Sequence, residues 1–109
     1  MKPVLEANEA SFKSEVLDSA QPVLVAFWTG RGDSDKTLAT VLEEIAREKA
    51  DRVKIVRVDV DQNPALARHY HVQSTPTLIY FANGLVHDHL VGPTDKQEIM
   101  TKLDEVAAV

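Results

Sequence analysis

The sequence predicts one α/β domain, spanning residues 1–109, with a central mixed β-sheet. Segments with strand-like and helix-like hydrophobic patterns alternate along the chain. The dipeptide Asn83-Gly84 lies between two strand-like segments and indicates a two-residue hairpin, which makes the last two strands antiparallel. The length of 109 residues suits a single domain. The predicted order is β-α-β-α-β-α-β-β-α, with about five strands flanked by four helices.

The first half of the chain contains a short helix, a buried strand and a long helix. Ser11–Ser19 is predicted to be helical, because its apolar residues recur on one helical face. Val23–Trp28 is continuously apolar, which is typical of a strand covered on both faces. A polar turn, Thr29–Asp35, then leads into a helix that ends near Ala50. Its apolar stripe comprises Leu38, Val41, Leu42 and Ile45.

The second half supplies the remaining strands and helices. Val53–Val60 is predicted to be the next central strand. Pro64 occupies a favoured first helical position, so Ala65–Tyr70 should form a short helix. Thr77–Phe81 and Leu85–Val91 form the hairpin around Asn83-Gly84, and the last helix is predicted over Asp95–Val106.

Composition excludes several classes of function. The net charge of -5 argues against nucleic acid and against anionic membrane surfaces as partners, since both require clustered Lys and Arg. Met1–Phe12 has no apolar signal segment, so we expect a cytoplasmic protein. The sequence contains no cysteine, which excludes disulfides, thiolate metal sites and cysteine nucleophiles. We predict no cofactor.

Six segments, in their order and spacing, resemble the thioredoxin family over essentially the whole chain. The resemblance implies the thioredoxin fold. The segments are Val23–Trp28, Leu42–Ala46, Val58–Pro64, Thr75–Leu78, Phe81–Gly84 and Val91–Gly92.

The catalytic motif of that family is degenerate in this chain. The family carries Trp-Cys-Gly-Pro-Cys-Lys after the strand, and the matching run here is Arg31–Lys36. The two thiol positions hold Gly32 and Asp35, and the family's buried acid matches Ala26. The residues between the thiol positions are Asp33 and Ser34.

These replacements remove the residues that disulfide exchange requires. A thiolate must attack a disulfide sulfur to form a mixed disulfide. The hydroxyl of Ser34 has no base in the motif, and the carboxylate of Asp35 cannot resolve a mixed disulfide. The sequence therefore predicts a redox-inactive protein that is not an enzyme.

The resemblance also implies a groove that holds an extended peptide. The family residues that form it match Trp28, Arg31, Thr75, Pro76, Val91 and Gly92. Thr75–Pro76 is a candidate cis peptide bond, because only X-Pro bonds are commonly cis. A non-catalytic module that binds a protein or peptide client, chaperone-like or scaffold in character, is the first functional hypothesis. A purely structural role for these residues stays open.

Two alternative interpretations concern the loop and the ancestry. Thr29–Ser34 reproduces the cell-attachment sequence of fibronectin, in which Arg31, Gly32 and Asp33 would face an integrin. Short motifs of this kind also arise by chance. Alternatively, the chain resembles thioredoxins only because of shared ancestry. It would then be classed as a disulfide oxidoreductase by homology, without having that activity.

Two further predictions concern the pairing of Arg57 and metal binding by the histidines. Arg57 lies inside an apolar strand, and we expect Asp35 to pair with it, unless its side chain extends to water. The four histidines occur as His69, His71, His87 and His89, a spacing that could bind metal. A third ligand is not evident from the sequence, so we predict no metal site.

Overall fold

Five strands form one mixed sheet in the computed structural model, which describes residues 4–29, 33–49, 52–92 and 94–107, without the side chains of 33–35 and 107. The sheet order is β1-β3-β2-β4-β5. Strands β1, β2 and β3 are parallel, and β4 runs antiparallel to β5, as predicted. Strand β4 also runs antiparallel to β2. The strands are β1 (Val4–Glu6), β2 (Val23–Trp28), β3 (Lys54–Asp59), β4 (Thr77–Ala82) and β5 (Leu85–Val91).

Helices cover both faces of the sheet. Helix α1 (Asp33–Glu48) and helix α3 (Lys96–Ala107) pack on one face. A π-helical segment (Lys13–Leu17) and helix α2 (Pro64–His69) lie on the other face. No helix of the described residues is long and apolar enough to cross a membrane.

The alternation of β2 side chains divides the core into two layers. Leu24 and Ala26 face α1 and α3, while Val23, Val25 and Phe27 face the other two helices. All five are at most 1% exposed. This double burial confirms the prediction of a strand covered on both sides.

The first helix lies within the predicted Ser11–Ser19 segment, over Lys13–Leu17, but it is π-helical. Asn8 Oδ1 accepts hydrogen bonds from the amides of Ala10 and Ser11 at 2.9 Å, and Ser11 Oγ accepts one from the Asn8 amide at 3.0 Å. The chain therefore begins to turn at Asn8, before Ser11. Asp18 N donates to Lys13 O at 2.9 Å, a five-residue step that widens the helix into a π-helix.

The hairpin between β4 and β5 has the geometry that Asn83-Gly84 predicts. Both residues have positive φ, +55° and +78°, as the favoured two-residue turn requires. The pairing then shifts by one residue: Tyr80 lies opposite Asp88, but Phe81 lies opposite Val86. His87 is thus the extra residue of a β-bulge.

Edge strand β5 is fixed to α3 by one ion pair. Lys102 Nζ lies 2.7 Å from Asp88 Oδ2, and both side chains are about one-third exposed. The hydrogen bond from Lys102 is the largest cause that lowers the pKa of Asp88. Because the pKa of Asp88 is lower in the folded state, its ionised form stabilises the fold at pH values above the unfolded-state pKa. This stabilisation is lost as the pH falls through the folded-state pKa.

We expect Asp88→Asn to destabilise the protein at pH 7, because the charge-assisted contact with Lys102 is lost. The difference from wild type should shrink as the pH falls below about 4, where the carboxylate of the wild type also becomes protonated. Urea unfolding between pH 7 and pH 3 measures this. A difference that stays constant over the range would contradict the assigned ion pair.

Helix α2 ends in a Schellman motif whose left-handed residue is a histidine. Val72 N donates to Ala67 O at 2.8 Å, and His71 N donates to Arg68 O at 3.2 Å. His71 has φ +58°, a conformation that glycine adopts without the steric cost of a Cβ atom.

Replacing His71 by glycine should therefore stabilise the fold. We expect His71→Gly to raise the free energy of unfolding by about 0.5–1 kcal/mol, after the entropy that glycine gains in the unfolded chain is subtracted. Urea unfolding at pH 7 measures the change. His69→Gly, inside the same helix, is the control and should destabilise the protein by about 0.5–1 kcal/mol.

Candidate functional site

Four strand ends converge at one edge of the sheet. Trp28 and Asp59 pair at the ends of β2 and β3. At the same edge, Phe27 pairs with Thr77 at the start of β4, and Thr77 pairs with Val91 at the end of β5. Open α/β sheets commonly bind ligands beyond the carboxyl ends of their strands, which makes this edge the candidate site.

The loop before β4 is held in place by hydrogen bonds at this edge. The Thr75–Pro76 peptide bond is cis, as expected, and Pro76 is buried. Gly92 N donates to Pro76 O at 2.8 Å, and Thr77 Oγ1 donates to Ser74 O at 2.7 Å. The backbone of Gly92 has φ +88°, which suits glycine. The loop is thus fixed to the ends of both β4 and β5.

A shallow cleft of about 220 Å³ opens beside Thr75. Thr29 follows directly on β2, Val60 and Asp61 come from the turn after β3, and the cis-proline loop contributes the rest. We call this the cis-proline cleft. Its remaining lining residues are Val72, Gln73, Ser74 and Thr75.

The structure brings together only part of the predicted peptide groove. Trp28, Thr75, Pro76 and Gly92 all lie at this edge, but only Thr75 lines the cis-proline cleft. Val91 is 62% exposed and lines a neighbouring groove on one face of the sheet, which shares Gln73 and Ser74 with the cis-proline cleft.

The sequence missed the contribution of the turn after β3. Val60 and Asp61 follow directly on β3. Because residues that follow parallel strands lie at the same edge of the sheet, their place after β3 could have identified them as part of the site.

Several predictions fall outside the described residues. Arg31 and Gly32 are not described, and α1 begins at Asp33 without described side chains for Asp33, Ser34 and Asp35. The integrin-recognition hypothesis and the pairing of Asp35 with Arg57 therefore stay predictions.

Arg57 packs against the indole ring of Trp28. Its guanidinium carbon lies 4.7 Å from the ring centroid, within the range of a cation–π contact. Glu6 Oε2 is 4.0 Å from Arg57 Nε, which is too long for a hydrogen bond, and the arginine side chain is 27% exposed. Neither Arg57 Nε nor Trp28 Nε1 has a hydrogen-bond partner among the described residues.

A cavity of about 10 Å³ lies beneath this pair, where Ala26 faces α1. Val4, Leu38 and Leu42 supply its apolar walls. None of the described residues that line it carries a carboxyl group, and Ala26 occupies the position of the family's buried acid. Among the described residues, no group of three or more His, Asp or Glu side chains could hold a metal ion.

Loss of the arginine charge should weaken the contact with Trp28. We expect Arg57→Gln to lower the free energy of unfolding by about 1 kcal/mol and to shift the emission of Trp28, the only tryptophan of the sequence. Glu6→Gln, the control, should change stability by less than about 0.5 kcal/mol and leave the emission unchanged. Equal effects of the two variants would argue against the cation–π contact.

Comparisons with known proteins agree with this architecture. The family model described as Thioredoxin matches residues 3–105. Thioredoxin 1 of Synechococcus elongatus is 39% identical over 105 residues, which are 96% of this chain and 98% of that protein. Thioredoxin of Mycobacterium tuberculosis is 41% identical over 102 residues, or 94% and 88% of the two chains. Thioredoxin of Mycolicibacterium smegmatis is 43% identical over 100 residues, or 90% and 89%. The chain belongs to the thioredoxin family.

Proposed function

We propose that this chain is a redox-inactive protein-binding module that holds an extended peptide segment at the cis-proline cleft. Its partner would be a protein or peptide client, bound without chemical turnover. The observation that carries the proposal is the backbone of Thr75, which lies at the cleft and makes no backbone hydrogen bond with another described residue.

The main chain of Thr75 is available for pairing with a peptide. None of the backbone hydrogen bonds of the described residues uses its amide or its carbonyl group. An extended peptide that adds to such a backbone gains hydrogen bonds irrespective of its sequence, and adjoining pockets select its side chains. Val72 and Val60 offer apolar contact in the cleft, and Gln73 offers polar contact.

The chemistry of the chain supports binding rather than exchange. The relatives are named thioredoxins, whereas this sequence has no cysteine to form a thiolate. The hydrogen bonds that fix the cis-proline loop to β4 and β5 are nevertheless present. A preorganised loop lowers the entropic cost of binding a flexible peptide.

We expect the purified protein to reduce insulin disulfides in the presence of dithiothreitol no faster than dithiothreitol alone. The matched control is the double variant Gly32→Cys with Asp35→Cys, which places thiols at the two positions implied by the family resemblance and should accelerate the reaction. Turnover by the cysteine-free wild type would contradict the proposal.

Peptide binding can be tested by selection and substitution. Nonapeptides selected from a displayed random library on the immobilised full chain would be measured by fluorescence polarisation. We expect Asp61→Trp, which fills the cis-proline cleft, to weaken binding by about tenfold or more through steric clash. Gln62→Trp, a neighbouring exposed position that does not line the cleft, is the matched control.

The two Asp61 variants separate the effect of side-chain volume from the effect of charge on peptide binding. Asp61→Asn removes the charge without adding volume, so it should retain binding if the cleft recognises the peptide backbone. No enrichment of any peptide, or equal binding by the two tryptophan variants, would overturn the proposed function.

A further inference from the structure

A second groove, larger than the cis-proline cleft, lies over the α2 face of the sheet beside β5. It has a volume of about 460 Å³, within the range of small-molecule sites. Three imidazoles line it, from His69, His71 and His89. We call it the histidine groove, and its apolar wall comprises Ile79, Val86 and Val91.

Two local irregularities of the backbone build the histidine groove. The Schellman motif ends α2 at the groove and places His71 in the left-handed conformation there. On the opposite side, the β-bulge brings Val86 rather than His87 opposite Phe81. Val86 therefore shares a sheet face with His89, which pairs with Ile79.

The three imidazoles lack polar partners among the described residues. None of them takes part in a side-chain hydrogen bond or ion pair there; His69 makes only an edge contact with the Tyr70 ring, with 4.7 Å between centroids. They do not form a group that could hold a metal ion in the described part of the chain. Their N–H groups are thus available as donors to an anionic group.

The charge around the histidine groove favours an anion. No acidic side chain of the described residues lines it. Asp88, which precedes His89, contacts Lys102 at 2.7 Å on the opposite face of the sheet. Its other carboxylate oxygen accepts a hydrogen bond from the His89 amide at 2.8 Å, so its charge also acts on His89. The titratable groups facing the groove are the three imidazoles and the Tyr70 phenol, and burial raises the pKa of Tyr70, so the phenol stays neutral.

We propose that the histidine groove binds a small aromatic or aliphatic carboxylate. The apolar body would lie over Ile79, Val86 and Val91, and the carboxylate would accept hydrogen bonds from the imidazoles. Charge-assisted hydrogen bonds of this kind are stronger than neutral ones.

The test uses 1-naphthoate as the probe and 1-naphthamide as its neutral counterpart. Each would be titrated into the ¹⁵N-labelled full chain at pH 6, and amide shifts would be followed by NMR. We expect saturable shifts at residues 69–74 and 86–91 with naphthoate, and at least about tenfold weaker binding of the amide.

Three single variants locate the carboxylate. His71→Gly removes one imidazole while relieving the left-handed strain, so a loss of binding cannot come from unfolding. His89→Gln removes another imidazole and keeps a polar side chain. Each should weaken naphthoate binding by about threefold to tenfold. His87→Gln, on the same strand but outside the groove, is the matched control and should bind like wild type.

The alternatives give distinct results. Equal binding of the acid and the amide, shifts spread outside the groove, absence of saturation, or no effect of the His71 and His89 variants would overturn the assignment. Saturable Zn²⁺ binding that depends on the same histidines would overturn it in favour of a metal site. Asp61→Trp should leave naphthoate binding unchanged, so this result is independent of the peptide-binding proposal.

Discussion

The burial of β2 on both faces organises the whole structure. Its side chains alternate between two apolar layers, and its two edges pair with β3 and β4. A slip of one residue in either pairing would exchange the two faces, so the register is strongly specified. That register places the end of β2 beside the end of β3 and the start of β4. The cis-proline cleft is a direct consequence of this alignment.

The sequence predicts those parts of the fold that depend on hydrophobic period and turn chemistry. Val23–Trp28 is recognisable because every residue is apolar, and Asn83-Gly84 because both positions favour positive φ. The first helix was predicted, but its π-helical geometry was not, because it depends on the hydrogen bond from Asp18 N to Lys13 O, which no periodic pattern records. The bulge at His87 was also missed, since a single extra residue barely changes the alternation of β5.

The candidate site was less predictable than the fold. Family resemblance identified the cis-proline loop, but not the contribution of Val60 and Asp61 to the cleft. Arg57 was recognised as an unusual charge in a strand, yet its contact with Trp28 depends on a diagonal relation between β2 and β3. The three groove histidines come from α2, the turn that follows it and β5. Only the folded chain brings these segments together.

The bulge in β5 also bears on how the chain can vary in length. Tyr80 and Phe81 are consecutive, and their partners Asp88 and Val86 are separated only by His87. A chain that lacks this one residue would keep every other side chain of the strand on its present face. Loss of this residue would therefore preserve the faces of the edge strand, whereas the loss of one residue within β2 would exchange its two buried layers.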